Sequence, residues 1–472
     1  MYLLKCLINR VNIKQRKGRV FMSLCNFYLI TDTHFFKNTL GAEGKEYDEF
    51  MRFEQKCFAE TEAINNSVFS FLAETKNTDT VLIAGDLSFN GEKESHIGFI
   101  NLLNKLKENG KRVFVVTAGH DFNDKCYGYS TKDGKYEVEP TSREELFDLY
   151  YDFGFSDAIA VDKKHLSYVA QIADGVRLLA LNNDGSDEVK EAFDKEQLEW
   201  IKEQAQKAKE DGQMMFAMNH YPLLAGQPIL SLISSAVQKN AAEAIDVLAD
   251  NGVNLVFTGH MHNQSINEKI TKSGNRFYDV CTGSIIAAPA SMRLVTIEDK
   301  NTIDIKTEHI PDFEWDTNGK SCKQYLSDMF DSMILNMLED MRDNPERMLH
   351  KLGIMNNKLK PVFGFAGKKL DTITVGKTAR LLAVKCDKSI KNMLLKDFIF
   401  KLVRDVFSGN QTMKEGTPEG DTFLRVLKRY NFVLKKIKLK NTDGEPVELF
   451  ELLKNSAGNY DIDDYNAVLK LN

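Results

Sequence analysis

Short apolar runs alternate with amphipathic segments over the first two thirds of the chain. Residues 27–31, 80–84 and 112–117 are apolar and rich in β-branched side chains, which predicts buried strands. Between them, 48–75 and 97–106 carry apolar residues at helical spacing. This alternation of strand and helix predicts an α/β fold built on parallel strands.

The alternation continues beyond an irregular stretch. Residues 122–174 are interrupted by glycines, charges and aromatic side chains, which favours an insertion or a lid over the strand ends. A helix is predicted at 195–209, and the pattern at 277–281 and 292–298 indicates strands of a second sheet. The other strands of this part are predicted at 176–181, 214–218 and 254–258.

The character of the chain changes near residue 319. Methionine and leucine recur at helical spacing over 325–341, and the same pattern predicts further helices. These lie near 388–407, 420–438 and 446–454. We therefore predict one domain over 22–318 and a mostly helical C-terminal domain over 319–472.

Residues 1–21 are predicted to be an N-terminal extension. Their apolar run is too short for a membrane span of about 20 residues, and it lacks a small-residue cleavage pattern. Met22 directly precedes the first convincing strand, so it is an alternative start of the protein. The sequence predicts no membrane association.

Composition narrows the class of protein. Of 472 residues, 43% are hydrophobic and 28% charged, which is typical of a globular chain. The net charge of −6 argues against a protein held to nucleic acid by bulk charge. The seven cysteines are widely spaced and form no C-x-x-C, which favours buried thiols in a reducing cytoplasm over disulfides or a thiolate zinc site.

Histidine and aspartate concentrate directly after the predicted strands. Because the carboxyl ends of parallel strands meet on one side of a sheet, these side chains should converge. Imidazole and carboxylate donors without cysteine favour Mn, Fe or Zn over calcium, and a carboxylate such as Asp86 can bridge two ions. The residues concerned are Asp32, His34, Asp86, His120, Asp121, His220, His260 and His262.

The motifs in these segments resemble a known family. D-x-H at Asp32, G-D at Asp86, a modified G-N-H-[DE] at Gly119, H-x-P at His220 and G-H-x-H at 259–262 follow the order of the calcineurin-like metallophosphoesterases. The resemblance spans 27–298 and implies a two-sheet α/β sandwich with two divalent metal ions.

Within that family, the chain is most similar to the bacterial class III cyclic-nucleotide phosphodiesterase branch. The similarity lies in residues 85–96, in the T-G-S-I-I loop at 282–286 and in the helical C-terminal domain. The resemblance therefore implies a small phosphorylated substrate, and it suggests a cyclic nucleotide.

The resemblance also assigns roles to individual residues. It places Asp32, His34, Asp86 and His262 around the first ion, and Asp86, His220 and His260 around the second. The family's asparagine ligand falls at Gly119, so the second ion would take water, substrate or a neighbouring group instead. His120 matches the histidine that contacts the phosphate or protonates the leaving oxygen, with Asp121 orienting it. In a register shifted by one residue, His120 would itself bind metal.

Four other histidines are outside these motifs. Ser95 and His96 lie at the entry of a predicted helix, where they either line the site as substrate-binding residues or pack inside the protein. His165, His309 and His350 have no motif around them, which favours a structural role.

The function expected from the sequence is hydrolysis of a phosphodiester by a metal-dependent enzyme. Metal-bound hydroxide would attack phosphorus in line, and His120 would help the leaving oxygen depart. The alternatives are a phosphomonoesterase, a nuclease, which the acidic balance opposes, and a weakened or non-catalytic metal-binding sensor of a phosphorylated ligand. Gly119 motivates the last of these. The sequence does not identify a protein partner.

Overall fold

The computed structural model describes residues 13–16, 19–185, 190–232, 236–347, 364, 367–440, 446–457 and 462–471, and side chains are described from residue 23 onward. Cys6 and His350 therefore lie outside the described residues. Within the predicted N-terminal extension, two short strands pair with each other and belong to neither of the large sheets.

The strands of the described residues are numbered in chain order. The first ten are β1 (Ile13–Arg16), β2 (Arg19–Met22), β3 (Cys25–Ile30), β4 (Thr80–Ala84), β5 (Arg112–Val116), β6 (Cys126–Ser130), β7 (Gly134–Val138), β8 (Ala158–Asp162), β9 (Ser167–Ala173) and β10 (Val176–Ala180). The others are β11 (Met214–Met218), β12 (Leu255–Thr258), β13 (Ser265–Ile270), β14 (Arg276–Cys281), β15 (Ser291–Asp299), β16 (Thr302–His309), β17 (Lys438–Lys440), β18 (Pro446–Glu448) and β19 (Ala467–Lys470).

Two mixed sheets form the body of the protein. The six-stranded sheet has the order β19-β16-β15-β3-β4-β5, and the seven-stranded sheet has the order β13-β14-β12-β11-β10-β9-β8. Strands β3, β4 and β5 are parallel to one another, as are β10, β11, β12 and β14. The predicted α/β fold with parallel strands is therefore confirmed.

Aromatic side chains join the two sheets face to face. Phe27 of the six-stranded sheet stacks on Phe216 of the seven-stranded sheet with ring centroids 5.3 Å apart, and it meets Phe257 edge-on at 5.6 Å. All three are buried completely. Burial of these rings removes a large apolar area from water and stabilises the two-sheet sandwich that the family resemblance implied.

Some strands differ from the prediction in their sheet or their context. β14 lies beside β12 in the seven-stranded sheet, whereas β15 pairs with β3 in the six-stranded sheet, so the two do not share a second sheet. The predicted insertion also contains β8 and β9, which extend the seven-stranded sheet. An apolar run predicts that a strand is buried but does not identify its neighbour, which depends on long-range packing.

Helices cover the outer faces of the sheets. Lys195–Glu210 begins where Asp194 accepts a hydrogen bond from the backbone N–H of Gln197, and its buried residues Leu198 and Ile201 face the sheet. The helices of at least seven residues before residue 319 are Lys45–Met51, Thr61–Glu74, Lys93–Glu108, Lys195–Glu210 and Ala241–Asp250. Glu145–Leu149 is shorter.

The part after residue 319 is mostly helical. Its described helices include Cys322–Asp343, Val375–Leu381, Leu395–Ser408, Pro418–Leu434 and Leu449–Ser456. In the described parts of the chain, no helix combines the length and apolar character needed to cross a membrane. The domain boundary at 318 and 319 stays a prediction.

The last described strand returns to the first part of the chain. β19 pairs with β16 at the edge of the six-stranded sheet, in antiparallel register. The preceding segment is held by Arg293, which is buried completely and donates to the carbonyl oxygens of Asp464 at 3.0 Å and Cys281 at 2.9 Å. The sequence did not predict this strand.

Candidate metal centre

Acidic and imidazole side chains gather where four strands of the two sheets end. The loops after β3 and β4 carry Asp32, His34 and Asp86, and the loops after β11 and β12 carry His220, His260 and His262. Both sheets therefore direct their strand ends to one edge of the sandwich. The sequence predicted this convergence within one sheet, and the structure shows it across two.

The six side chains form two groups whose geometry suits metal ions. The first cluster is Asp32, His34 and His262, and the second cluster is Asp86, His220 and His260. In each cluster, one potential ligand atom per residue lies within 4.8 Å of the others. Five of the six residues are buried, and His260 is half-buried.

The Asp86 carboxylate lies beside both clusters. Its Oδ2 is 2.9 Å from His220 Nε2 in the second cluster and 3.7 Å from His34 Nε2 in the first. In the first cluster, His262 Nε2 lies 3.1 Å from His34 Nε2 and 3.2 Å from Asp32 Oδ1. These distances bring the donors of both clusters into a single centre.

The hydrogen bonds of His220 show that the donor set fits a cation. Its Nδ1 lies 2.8 Å from the carbonyl oxygen of Ala84, which can only accept, so Nδ1 carries the hydrogen. In the neutral ring, Nε2 then presents a lone pair to the Asp86 carboxylate, an arrangement that a proton or a metal ion between them would relieve. His220 Nε2 is buried and has no hydrogen-bond partner, as expected of a nitrogen that a cation would occupy. With three potential ligands in each cluster, the centre fits two metal ions.

The electrostatics of the centre reflect the same crowding. Burial alone would raise the pKa of Asp32 and Asp86, but the facing imidazoles, chiefly those of His262 and His220, hold the pKa of both carboxyls well below the usual range. Burial opposes charge on His220, yet Asp86 and Asp32 raise its pKa to about 9. The negative charges of the two carboxylates thus stabilise positive charge placed between them.

Five residues of the centre have positive φ, a backbone conformation that residues other than glycine rarely adopt. This conformation costs of order 1–3 kcal/mol for each such residue, and residues that adopt it cluster at functional sites. Gly259 has a separate reason to be glycine, because a Cβ there would lie 2.0 Å from Thr31 Oγ1. Positive φ is found at Asp32 (50°), His34 (36°), Asp86 (51°), His260 (68°) and His262 (50°).

A buried carboxylate behind the centre was missed by sequence reasoning. Asp279 accepts hydrogen bonds from the backbone N–H groups of Leu223 and Leu224 at 2.7 and 2.8 Å, and from Thr258 Oγ1 at 2.6 Å. It thereby connects the chain after His220 to the end of β12. The only signal in the sequence was an aspartate inside an otherwise apolar strand, a position where a charge requires partners.

His120 lies beside the centre but in neither cluster. Its backbone N–H donates to Asp86 Oδ1 at 3.1 Å, and its ring centroid is 4.9 Å from that of His34. Nδ1 is 2.9 Å from the carbonyl oxygen of Phe89, so it carries the hydrogen and Nε2 is the nitrogen left to exchange a proton. Burial, with Lys56 adding to it, lowers the pKa of His120 to about 4.

The Asp121 carboxylate contacts backbone amides, and its predicted role in orienting His120 stays a prediction. Its Oδ1 accepts the backbone N–H groups of Leu87 and Ser88, and its Oδ2 accepts that of Ala118, each at 2.8 Å. The hydrogen-bond partner of the His120 imidazole is the Phe89 carbonyl. Burial and the charge of Asp86 raise the pKa of Asp121 to about 8, against the effect of the backbone amides.

Ser95 and His96 are placed inside the protein, and a contact of either residue with substrate stays a prediction. Both are buried completely. The His96 ring lies between the Asp121 carbonyl oxygen at 2.8 Å and the Tyr150 hydroxyl at 2.6 Å, and Ser95 Oγ accepts from the Lys37 N–H. His96 therefore supports the loop of His120 from behind.

A cleft of about 510 Å³ opens beside the centre, next to Gly119 and Tyr221. Arg143, His165 and Asp184 also line it. The Arg143 guanidinium pairs with Asp184 at 3.2 Å. A volume of this size is within the range of small-molecule sites.

Comparison with known proteins identifies the part of the chain that carries the centre. A sequence profile described as Calcineurin-like phosphoesterase matches residues 25–264, just over half of the chain and all six residues of the two clusters. No curated protein matches the sequence significantly.

Several solved structures are similar to part of the chain. A dimetal phosphatase from Danio rerio is 14% identical, covering 61% of this chain and 97% of its own, with a TM-score of 0.44. The purple acid phosphatase PPD1 from yellow lupin is 13% identical, with 61% and 52% covered and a TM-score of 0.39. A 5'-nucleotidase precursor from Thermus thermophilus is 12% identical, with 67% and 60% covered and a TM-score of 0.34.

Proposed function

The chain belongs to the calcineurin-like phosphoesterase family, and from that premise we propose that it is a metal-dependent phosphodiesterase acting on a small phosphorylated molecule. Cyclic nucleotides are the first substrate class to test. The observation that carries the proposal is the meeting of the two clusters at Asp86, whose Oδ2 lies 2.9 Å from His220 Nε2 and 3.7 Å from His34 Nε2.

In this proposal, each cluster holds one divalent ion, and Asp86 faces both. Imidazole and carboxylate ligands suit Mn, Fe or Zn. When bound, the two ions supply an activated water nucleophile and neutralise charge on the phosphoryl oxygens. The residues keep their ligand atoms in place through the surrounding hydrogen bonds, such as that from Thr31 Oγ1 to Asp32 Oδ2 at 2.8 Å.

His120 is proposed to act on the leaving oxygen. The Phe89 carbonyl fixes its Nδ1 hydrogen, so Nε2 is the atom that can hold and release a proton. Burial, with Lys56 adding to it, lowers the pKa of this imidazole, and the negative charge of a substrate beside it would oppose that shift.

The charges around the cleft favour a diester over a monoester. Arg143 is already paired with Asp184, and Lys164 lies 3.7 Å from Asp194 and is also paired with Glu196. Arg143 and Lys164 are balanced by carboxylates, which leaves Lys190 as the lining cation that could face the second negative charge of a phosphomonoester. A diester carries a single negative charge and needs less compensation.

The test combines metal analysis with a substrate panel. Protein loaded with Mn²⁺ is assayed against cyclic mononucleotides, an aryl diester and an aryl monoester, while bound metal is quantified. We expect two equivalents of metal and a preference for diesters. Asp86→Asn should lower metal content and abolish hydrolysis, whereas Asp405→Asn is the matched control, because Asp405 is buried in the helix Leu395–Ser408 and bonds Thr412 and Met413.

Each result decides between the proposal and an alternative. Full activity and full metal content in Asp86→Asn would rule out the two-metal centre. Two bound ions without turnover on any substrate would favour a metal-binding sensor, and preference for the monoester would favour a phosphatase.

A further inference from the structure

Gly119 occupies the position where the family has an asparagine ligand, and the backbone does not explain the glycine. Gly119 begins the single turn that carries His120, and it is not among the glycines with positive φ. Its environment offers a different reason. A Cβ at this position would lie 2.7 Å from the hydroxyl oxygen of Tyr221, and the next atom, Tyr221 Cζ, is 3.9 Å away. The glycine therefore makes room for one oxygen atom.

That oxygen lies at nearly the distance from a Cβ at 119 that an asparagine side-chain oxygen would have. A C–C bond of about 1.5 Å and a C=O bond of about 1.2 Å place the Oδ1 of an asparagine about 2.4 Å from its own Cβ. The Tyr221 hydroxyl is 2.7 Å from the position of that Cβ. A tyrosine from the seven-stranded sheet thus presents an oxygen near the place that a side chain at 119 would have reached from the six-stranded sheet.

Tyr221 is also fixed against the second cluster. Its ring centroid lies 4.4 Å from that of His260 and 5.3 Å from that of His220. The backbone is held on both sides, since Asn183 Oδ1 accepts the Tyr221 N–H and Asn219 Nδ2 donates to the Tyr221 carbonyl at 2.6 Å. Among the described residues, none forms a hydrogen bond with the hydroxyl. The Tyr221 ring is thus held against two imidazoles of the second cluster, and its hydroxyl oxygen is free to bind a ligand or an ion.

We propose that the Tyr221 hydroxyl oxygen is the fourth protein donor to the second metal ion, taking the place of the asparagine that Gly119 lacks. The inference rests on the proposed two-metal centre and adds a residue that the motifs do not mark. The proposal also links Gly119 to Tyr221, because the absence of a side chain at 119 provides the space that the Tyr221 hydroxyl occupies.

The test is a rescue experiment read out by metal binding, without substrate. Tyr221→Phe keeps the ring packing and removes only the oxygen. We expect it to lower the Mn²⁺ affinity of the weaker site about 10–100-fold, measured by calorimetry, and to lose up to one equivalent on dialysis. Tyr430→Phe is the matched control, because its hydroxyl bonds the Leu382 carbonyl in the helical part. It should bind metal like the wild type.

The double variant Gly119→Asn with Tyr221→Ala then restores an oxygen from the other side, and it is compared with Tyr221→Ala alone. Among the described residues, Tyr221 supplies the only atoms within 4 Å of a Cβ at position 119, so removal of its ring leaves the asparagine space. We expect metal affinity to return towards the wild-type value, whereas Gly119→Asn alone should bind metal poorly, because its side chain meets the hydroxyl.

Two outcomes would overturn the proposal. One is a folded Tyr221→Phe protein that binds both ions with wild-type affinity. The other is a folded double variant whose second site is as weak as in Tyr221→Ala. Both results are independent of catalysis, so a protein that binds two ions through Tyr221 and hydrolyses no substrate would contradict the proposed function and support the ligand assignment.

Discussion

Replacement of Asp121 by alanine should cost stability rather than only catalysis. The carboxylate accepts three backbone N–H groups, those of Leu87, Ser88 and Ala118, each at 2.8 Å, and it is buried completely. A buried donor without a partner costs about 1–3 kcal/mol, and water entering the space left by the side chain would recover part of that. We therefore expect Asp121→Ala to lower the free energy of unfolding by about 3–6 kcal/mol.

Asparagine at the same position should have an intermediate effect. Its oxygen can still accept Leu87 and Ser88, but its amide nitrogen would face the N–H of Ala118. One contact is lost, so the expected cost is about 1–3 kcal/mol. This order, with alanine worse than asparagine, follows from the number of amides left unpaired.

Urea unfolding of the metal-free protein at pH 7 measures both costs without a contribution from metal binding. Linear extrapolation gives the free energy in water, and an unchanged slope shows that the unfolding reaction is the same. Asp124→Ala is the control, because this exposed neighbour should change stability by no more than about 0.5 kcal/mol. A loss below about 1 kcal/mol in Asp121→Ala would refute the reasoning and return Asp121 to a catalytic role.

Two other predictions concern histidines near the cleft. His120→Ala should keep both metal ions and lower turnover about 10²–10⁴-fold, with a greater loss for an alkoxide than for a nitrophenolate leaving group. Loss of bound metal in this variant would instead identify His120 as a metal ligand. Burial opposes charge on His165, but hydrogen bonds with Asp162 and Asp194 outweigh it and raise the pKa of His165. The stabilisation by protonated His165 is complete below the unfolded-state pKa of about 6.5 and is lost as pH rises through the folded-state pKa. His165→Ala should therefore lower the free energy of unfolding in urea more at pH 5.5 than at pH 9. An equal loss at both pH values would contradict this.

The sequence predicts which side chains meet in the centre, because the relevant information is local. Each of the six residues in the clusters follows a short apolar strand, and its position depends on that strand and the next few residues. Strand-end placement therefore predicted the convergence of Asp32, Asp86 and His220, although these residues are far apart in sequence. The fold class was predictable for the same reason, since alternation of strands and helices is a local pattern.

Sheet membership and the relation of Gly119 to Tyr221 could not be predicted in this way. β14 and β15 have similar patterns, yet they lie in different sheets, because the choice of a neighbouring strand depends on packing over the whole chain. The hydroxyl of Tyr221 approaches Gly119 across the junction between the sheets. The sequence around Gly119 contains no signal that Tyr221 lies beside it, and the sequence around Tyr221 contains none for Gly119.

The pairing of β16 with β19 has a consequence for how the protein folds. Thr302 and Lys470 are partners 168 positions apart, so this edge of the six-stranded sheet can close only after a long segment has been brought back. Closure of such a long loop costs entropy before its contacts form, which slows folding. Until then β16 is an open edge able to pair with strands of other molecules. We therefore expect refolding yield to fall as protein concentration rises, with intermolecular association competing against the return of β19.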